Sequence, residues 1–186
     1  MGKYTVLIFN TLLSFCLAQN NWIYYNKISN ESESLYSIWR IDENGENDIQ
    51  IYENGYLLDI SEEGNFMLFS NYSYLVMYNL SSGTIDPLPM QAWIANFTSD
   101  GSKIIYASQT ELSIYDIISQ ESVLISDIIS YESNFYYSPI NQSVVFYEQD
   151  NIALYSIDDN EKIILSSNAL SSGGDGFSHL SWSPSN

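Results

Sequence analysis

The chain of 186 residues is poor in the side chains that disulfides, metal sites and nucleic-acid surfaces need. It contains one cysteine, Cys16, and one histidine, His179. These counts exclude an intramolecular disulfide framework and any zinc site built from several Cys or His ligands. Five basic residues oppose 23 acidic ones, for a formal net charge of −18. Because such a chain repels phosphates and anionic lipids, we expect no nucleic-acid partner and no polybasic membrane attachment.

The sequence also lacks the patterns of common catalytic centres. A Ser-His-Asp arrangement would have to use His179, and no G-x-S-x-G elbow presents a serine nucleophile. Residues 171–176 read SSGGDG, without the lysine and the following helix that a phosphate-binding loop requires. The paired carboxylates Glu62 and Glu63 fall in a predicted hairpin turn. We therefore expect no catalytic residue, no cofactor and no enzymatic activity in this chain.

One acidic run resembles a calcium-binding loop in composition. Residues 42–48 read DENGEND, but their spacing does not match an EF-hand loop. Asn44-Gly45 within the run is typical of a tight hairpin turn. The sequence favours a turn here and no metal, with a calcium site as the alternative.

The first 18 residues differ from the rest of the chain. Lys3 precedes a mostly apolar run at residues 6–17, and Cys16-Leu17-Ala18 supplies small residues for cleavage before Gln19. This pattern predicts a signal peptide at residues 1–18, with a buried first strand as the alternative. The run is too short to span a bilayer comfortably. We expect residues 19–186 to form a secreted domain, without a stable membrane span once the signal is removed.

The sequence contains five N-x-[ST] sequons. In a secretory pathway such sequons are acceptors for N-linked glycans. The predicted glycosylation sites are Asn30, Asn71, Asn79, Asn96 and Asn141.

An internal repeat of about 40 residues organises the chain. Gly64 in SEEGNFMLF corresponds to Gly101 in TSDGSKIIY and to Asn141 in SPINQSVVF, at intervals of 37 and 40 residues. The downstream strands keep the same register, with an aromatic residue at one shared position: Trp39, Tyr78, Tyr115 and Tyr155. Apolar runs alternate with Gly, Asn and Asp turns throughout, which predicts strands joined by hairpins.

Each repeat contains four predicted strands. First strands are expected near residues 56–60, 92–97, 134–138 and 178–182, and second strands near 22–26, 66–70, 103–107 and 143–147. Third strands are expected near 35–41, 74–80, 112–117 and 151–157, and fourth strands near 48–52, 84–88, 122–125 and 162–165. Four strands per unit at this period predict an all-β fold, a β-propeller of about four four-stranded antiparallel blades. The ring is expected to be partial or open, or closed by the two termini; a β-sandwich would not explain the shared register.

The four tryptophans, Trp22, Trp39, Trp93 and Trp182, all fall on predicted strands of the repeat. Their positions in the repeat favour packing between blades. A carbohydrate site lined by Trp and Tyr rings is the alternative.

The motifs themselves resemble a known repeat. TSDGSKIIYA at 98–107, LSIYDI at 112–117 and SPINQSVVFY at 138–147 resemble the TolB-like, WD-related β-propeller repeat. Residues 51–83 and 176–186 resemble early blades of the N-terminal propeller in the dipeptidyl-peptidase IV branch of the prolyl oligopeptidase family. That resemblance implies a propeller preceding a hydrolase domain. The family's serine elbow and its paired substrate-binding glutamates are not matched here.

Three functions remain open at this point. The first is a non-catalytic secreted propeller that binds a protein or peptide, or serves as a scaffold, through loops at one end of the ring. The second is the propeller portion of a secreted serine peptidase. The third is a carbohydrate-binding lectin.

Overall fold

The computed structural model of the protein describes residues 22–30, 35–109, 111–127, 129, 135–167 and 180–183, with residues 29 and 30 described by their backbone only. The signal peptide predicted at 1–18, His179 and the loop at 171–176 lie outside these residues. The described residues form fifteen strands. They fall into two compact units, Met1–Gly55 and Tyr56–Asn186. None of the described residues belongs to a helix long and apolar enough to cross a membrane.

The first unit contains a three-stranded antiparallel sheet of β1 (Trp22–Asn30), β2 (Leu35–Asp42) and β3 (Ile49–Tyr52). Its two basic side chains lie on indole rings. The Lys27 ammonium is 3.7 Å from the centre of the Trp39 ring, and the Arg40 guanidinium is 4.2 Å from that of Trp22. Lys27 also pairs with Asp48 at 2.8 Å. Trp22 and Trp39 therefore bury part of their ring surface under cations of the same sheet.

The acidic run at 42–48 is the hairpin between β2 and β3, as its Asn-Gly pair predicts. The Asp42 carboxylate accepts the side-chain amide of Asn47 and the backbone N–H groups of Asn44 and Glu46. These hydrogen bonds, the one from Asn47 first, hold the pKa of Asp42 below its usual range. Gly45 supplies the left-handed backbone, with φ of +79°. The carboxylate at the head of this run thus serves to close a turn.

The second unit contains three four-stranded antiparallel sheets, each in the order expected of a propeller blade. The first blade consists of β4 (Tyr56–Ile60), β5 (Phe66–Ser70), β6 (Leu75–Asn79) and β7 (Ile85–Pro87). The second consists of β8 (Ile94–Phe97), β9 (Lys103–Ala107), β10 (Leu112–Asp116) and β11 (Ser122–Ser126). The third consists of β12 (Tyr136–Ser138), β13 (Ser143–Glu148), β14 (Asn151–Ser156) and β15 (Glu161–Ser166).

The register predicted from the repeat is confirmed in all three blades. Tyr78 lies opposite Met67, Tyr115 opposite Ile104, and Tyr155 opposite Val144, so the shared aromatic position has the same partner position each time. The first hairpins also agree: Gly64 and Gly101 have φ of +69° and +67°, and each donates its N–H to the residue three positions earlier. A left-handed residue at this position of a tight turn is what favours glycine.

Neighbouring residues of one strand pack toward different blades. Ile104 belongs to a buried cluster with Leu68 and Leu75 of the first blade. Ile105 belongs to a second cluster with Val144 and Phe146 of the third blade. Both isoleucines are fully buried. Because side chains alternate across a strand, the second blade is covered on both faces, which explains its continuous apolar run.

The predicted first strand at 178–182 is wrong where the structure describes it. Residues 180–183 form no strand. Trp182 is instead held through its side chain, since its indole N–H donates to the backbone carbonyl of Tyr136 at 2.9 Å. β1 is an edge strand that pairs only with β2 among the described residues. The described C-terminal residues therefore add no strand to the β1–β2–β3 sheet.

Candidate functional site

Three aromatic side chains line a recess at one end of the first two blades. Tyr56 opens β4, Tyr72 lies in the β5–β6 hairpin, and Trp93 immediately precedes β8. The recess has a volume of about 300 Å³ and is completed by Ser70, Ser73, Gln91 and Ala92. We call this set of seven residues the aromatic recess. Tyr56, Tyr72 and Trp93 are 42%, 47% and 59% exposed, which is unusual for a cluster of large rings.

A strained turn positions Tyr72. Its φ is +68°, a left-handed conformation that is an outlier for a bulky residue. The Asn71 side-chain oxygen accepts the N–H groups of Ser73 and Tyr74 at 3.1 and 2.8 Å, and the Ser70 hydroxyl accepts the N–H of Tyr72 at 3.2 Å. These hydrogen bonds offset the backbone strain, which is about 1–2 kcal/mol for a residue in this region. The turn therefore holds Tyr72 at the rim of the recess.

The crossover from β7 to β8 positions Trp93. Leu75 exchanges backbone hydrogen bonds with this crossover: its carbonyl accepts the N–H of Leu88 and its N–H donates to Met90, both at 2.8 Å. The N–H of Trp93 donates to the carbonyl of Ala107 at 2.9 Å. The backbone on both sides of the recess is thus anchored to the two blades.

The prediction that Trp93 packs between blades is wrong. Its indole is more exposed than buried, because the residue precedes the first residue of β8 and lies beyond the packed sheet faces. Trp182 is only half-buried and fills the edge of another cavity. The repeat position of a tryptophan did not determine its burial.

A second cavity lies along the first strands. It has a volume of about 420 Å³, and its walls include Asp59, Asn96, Tyr136 and Ser181, one residue from each successive unit of the repeat. We call it the first-strand cleft. Its remaining walls are mostly aromatic: Phe97, Phe135, Tyr137, Leu180 and Trp182.

Asp59 is the acidic residue of the first-strand cleft, and it links two blades. Its carboxylate accepts the backbone N–H of Phe97, on the neighbouring blade, at 2.8 Å. Burial raises the pKa of Asp59, and hydrogen bonds from the backbone of Phe97 and Ile60 and the side chain of Asn96 offset only part of that effect. Because its oxygens are already engaged in joining β4 to β8, Asp59 has a structural role.

The structure places the predicted glycosylation sites in different environments. Asn141 is exposed in the turn before β13. The side-chain oxygens of Asn71 and Asn79 are engaged in turns, that of Asn79 accepting the N–H groups of Ser81 and Ser82. Asn96 lines the first-strand cleft, and the side chain of Asn30 lies outside the described residues. All five remain predictions, and Asn141 has the most accessible position of the four whose side chains are described.

The paired carboxylates Glu62 and Glu63 lie exposed in the β4–β5 turn, as predicted. Glu63 accepts the side-chain amide of Asn65 at 3.0 Å. Within the described part of the chain, no group of three or more His, Cys, Asp or Glu residues is arranged to hold a metal ion. His179 and the loop at 171–176 lie outside the described residues.

Comparison with known proteins shows the fold. No family model and no curated protein matches the sequence. TolB from Agrobacterium tumefaciens superimposes with a TM-score of 0.61 over 78% of this chain and 61% of its own, at 15% identity. TolB from Acinetobacter baumannii gives 0.60 over 76% of this chain and 39% of its own, at 16% identity. A chain of the nidogen/laminin complex gives 0.55 over 80% of this chain and 62% of its own, at 7% identity.

The chain spans less than two thirds of the length of each of these structures. At such low identities the likeness concerns the fold alone. The resemblance of residues 51–83 and 176–186 to the dipeptidyl-peptidase IV branch is not tested by these structures and stays a prediction. The four-stranded blades, their shared register and the superposition on two TolB structures agree, and the chain has the fold of a TolB-like β-propeller.

Proposed function

We propose that this protein is a secreted, non-catalytic binding module that takes a protein or peptide partner at the aromatic recess. The observation that carries the proposal is the exposure of Tyr56, Tyr72 and Trp93 around one recess. Large rings left in water gain free energy when a partner covers them, about 25 cal/mol per Å² of apolar surface. Trp and Tyr are also the residues most enriched in binding hot spots.

The location of the aromatic recess supports the same role. It is formed by a hairpin and a crossover loop that rest on two packed blades. Binding residues often lie on loops that a rigid scaffold positions. The nidogen/laminin structure, a chain of which has this fold, was determined as a complex of two proteins. That is consistent with a protein partner.

Panning a phage-displayed peptide library against the secreted protein tests the proposal. We expect wild type to enrich a peptide motif that the Trp93→Ala variant does not. Tyr74→Ala is the matched control, because Tyr74 is 54% exposed on the same hairpin without lining the recess. Equal enrichment on wild type and Trp93→Ala would place binding elsewhere and overturn the proposal.

Secretion is a separate part of the proposal and rests on the apolar run at 6–17 and the five sequons. We expect the native protein, after enzymatic removal of glycans, to have an intact mass below the 21.2 kDa of the full chain. A mass of 21.2 kDa would refute cleavage at residue 18. A much larger mass would favour the peptidase alternative, since it would require further domains.

Carbohydrate binding is the second candidate function, and the exposed indole of Trp93 favours it. Sugar rings stack on exposed aromatic side chains, and Ser70, Ser73 and Gln91 add polar groups to the recess. A glycan array separates the two functions. Binding of a sugar by wild type but not by Trp93→Ala would establish carbohydrate binding at the recess. If wild type binds no sugar on the array, this candidate function is refuted.

A further inference from the structure

We infer that the group which enters the aromatic recess is a quaternary or fully methylated ammonium, such as that of choline or of a trimethylated lysine. This inference rests on the proposed function, because it names the chemistry that the same recess selects. It depends on three observations: the uncharged lining, the charge of the surrounding unit, and the origin of the three rings in separate segments.

The lining excludes other charged ligands. None of the seven residues of the recess is charged; they supply rings, hydroxyl groups, one amide and one methyl group. A phosphate or carboxylate would find no counter-charge there. A primary ammonium would lose strong hydration without gaining a carboxylate partner. A quaternary ammonium has no N–H group to satisfy and is weakly hydrated, so aromatic rings suffice to bind it.

The charge of the second unit attracts cations. Residues 56–186 contain two basic residues, Lys103 and Lys162, against sixteen acidic ones. Lys162 is paired with Glu148, which leaves little positive charge to oppose the field. Such an excess raises the local concentration of cations and lowers that of anions near the surface. A neutral sugar would gain nothing from this field.

The three rings come from separate segments, as a cage around one group requires. Tyr56 belongs to a strand, Tyr72 to a hairpin and Trp93 to a crossover loop. Indole is the strongest aromatic partner for a cation, and Trp93 is the most exposed of the three rings. The hydrogen-bonded turn at Asn71 holds Tyr72 in place before any ligand arrives. A preformed cage avoids the entropic cost of ordering its walls.

Choline and its neutral isostere 3,3-dimethylbutan-1-ol form a matched pair of probes, since they share shape and differ in charge. We expect choline to bind the full secreted chain at least about fivefold more tightly than the alcohol, measured by calorimetry. Trp93→Ala should weaken choline binding about tenfold, whereas Trp93→Phe should weaken it less. Tyr74→Ala should leave it unchanged. Far-UV circular dichroism checks that each variant is folded.

Each outcome decides between the two proposals. If the isostere binds as tightly as choline, or if methyl glucoside binds and choline does not, the ammonium inference is overturned. The proposed function then still stands, provided that the peptide library gives binders that Trp93→Ala loses. If no probe and no peptide depends on Trp93, both proposals fail. Trimethyllysine peptides that bind more tightly than unmethylated ones would support both.

Discussion

The ion pair between Glu148 and Lys162, both in the third blade, is hydrogen-bonded to β11 of the second blade, and breaking it should destabilise the protein measurably. Glu148 is only 7% exposed and accepts hydrogen bonds from the Lys162 ammonium and from the Ser126 hydroxyl at 2.6 Å. Lys162 lies on β15 and also donates to the carbonyl of Ile125 on β11, at 3.3 Å. The Glu148 carboxylate therefore binds Lys162 on the outer strand of its own blade and Ser126 at the end of β11 in the second blade.

Removing Lys162 leaves the Glu148 carboxylate without its counter-charge, and the loss of one partner of a buried ion pair typically costs about 3–5 kcal/mol. The Lys162 side chain is 35% exposed, so water screens part of the interaction. We therefore expect Lys162→Met to lower the free energy of unfolding by about 2–3 kcal/mol at pH 7. The double variant Glu148→Gln/Lys162→Met should lose much less, because no charge remains buried and the glutamine oxygen still accepts from Ser126.

The pH dependence distinguishes this explanation from a simple loss of packing. Burial alone would raise the pKa of Glu148, but the hydrogen bonds from Lys162 and Ser126 hold it below its usual range. The wild-type carboxylate therefore stabilises the fold above pH of about 4.3, and that contribution is lost as pH falls through the folded pKa. In Lys162→Met, burial should raise the pKa of Glu148 above its unfolded value. The deficit of the variant relative to wild type should then shrink as pH falls from 7 to 5.

Urea unfolding of wild type, both single variants and the double variant, at pH 7 and pH 5, measures these quantities. Lys27→Met is the control, because the Lys27–Asp48 pair is solvent-exposed and its loss should cost much less. A loss below about 0.5 kcal/mol for Lys162→Met at pH 7 would refute the reasoning. An equal loss at both pH values would show that packing, and not the charge of Glu148, is responsible.

Two further predictions concern the first strands and the first hairpins. Burial raises the pKa of Asp59, so this carboxyl group favours the fold most at low pH and loses that contribution as pH rises. The Asp59→Asn variant keeps an oxygen that can accept the N–H of Phe97. The difference between its thermal midpoint and that of wild type should therefore become more favourable to the variant as pH rises from 4 to 7. A difference that is the same at both pH values would contradict this. Gly101→Ala should cost about 1 kcal/mol in urea unfolding, because φ is +67° while a Cβ would meet no atom within 4 Å. No measurable change would show that the turn adapts without strain.

Much of the fold could be predicted from the sequence because hairpin geometry restricts the residues that can occupy a turn. The glycines at 64 and 101 have a left-handed backbone, and the strands that flank them pair in the same register, with Ile60 opposite Met67 and Phe97 opposite Ile104. The prediction was wrong at 178–182, where the apolar pattern was present. The described residues there form no strand, and Trp182 contacts the third blade through a hydrogen bond from its indole to the carbonyl of Tyr136. Alternating polarity shows which residues can form a strand. It does not show whether a neighbouring strand is available to pair with them.

Part of the first-strand cleft could also have been predicted, because the repeat register places three of its wall residues. Asp59, Asn96 and Tyr136 lie opposite Leu68, Ile105 and Val145, which occupy the same position of the second strand in each blade. Equivalent positions of the repeat place their side chains on the same side of each sheet, so these three residues are expected to share one surface.

The aromatic recess could not have been predicted in the same way, because its residues break the repeat. The β5–β6 hairpin has Tyr72 where the β9–β10 hairpin has Gln109, and the β13–β14 hairpin is shorter by two residues. Trp93 closes a six-residue crossover from β7, whereas the crossover from β11 to β12 has nine residues. Strand positions are constrained by packing against the next blade and must resemble one another. Loop positions carry no such constraint, so the residues of the aromatic recess can differ from their counterparts in the other units, as Trp93 and Tyr72 do.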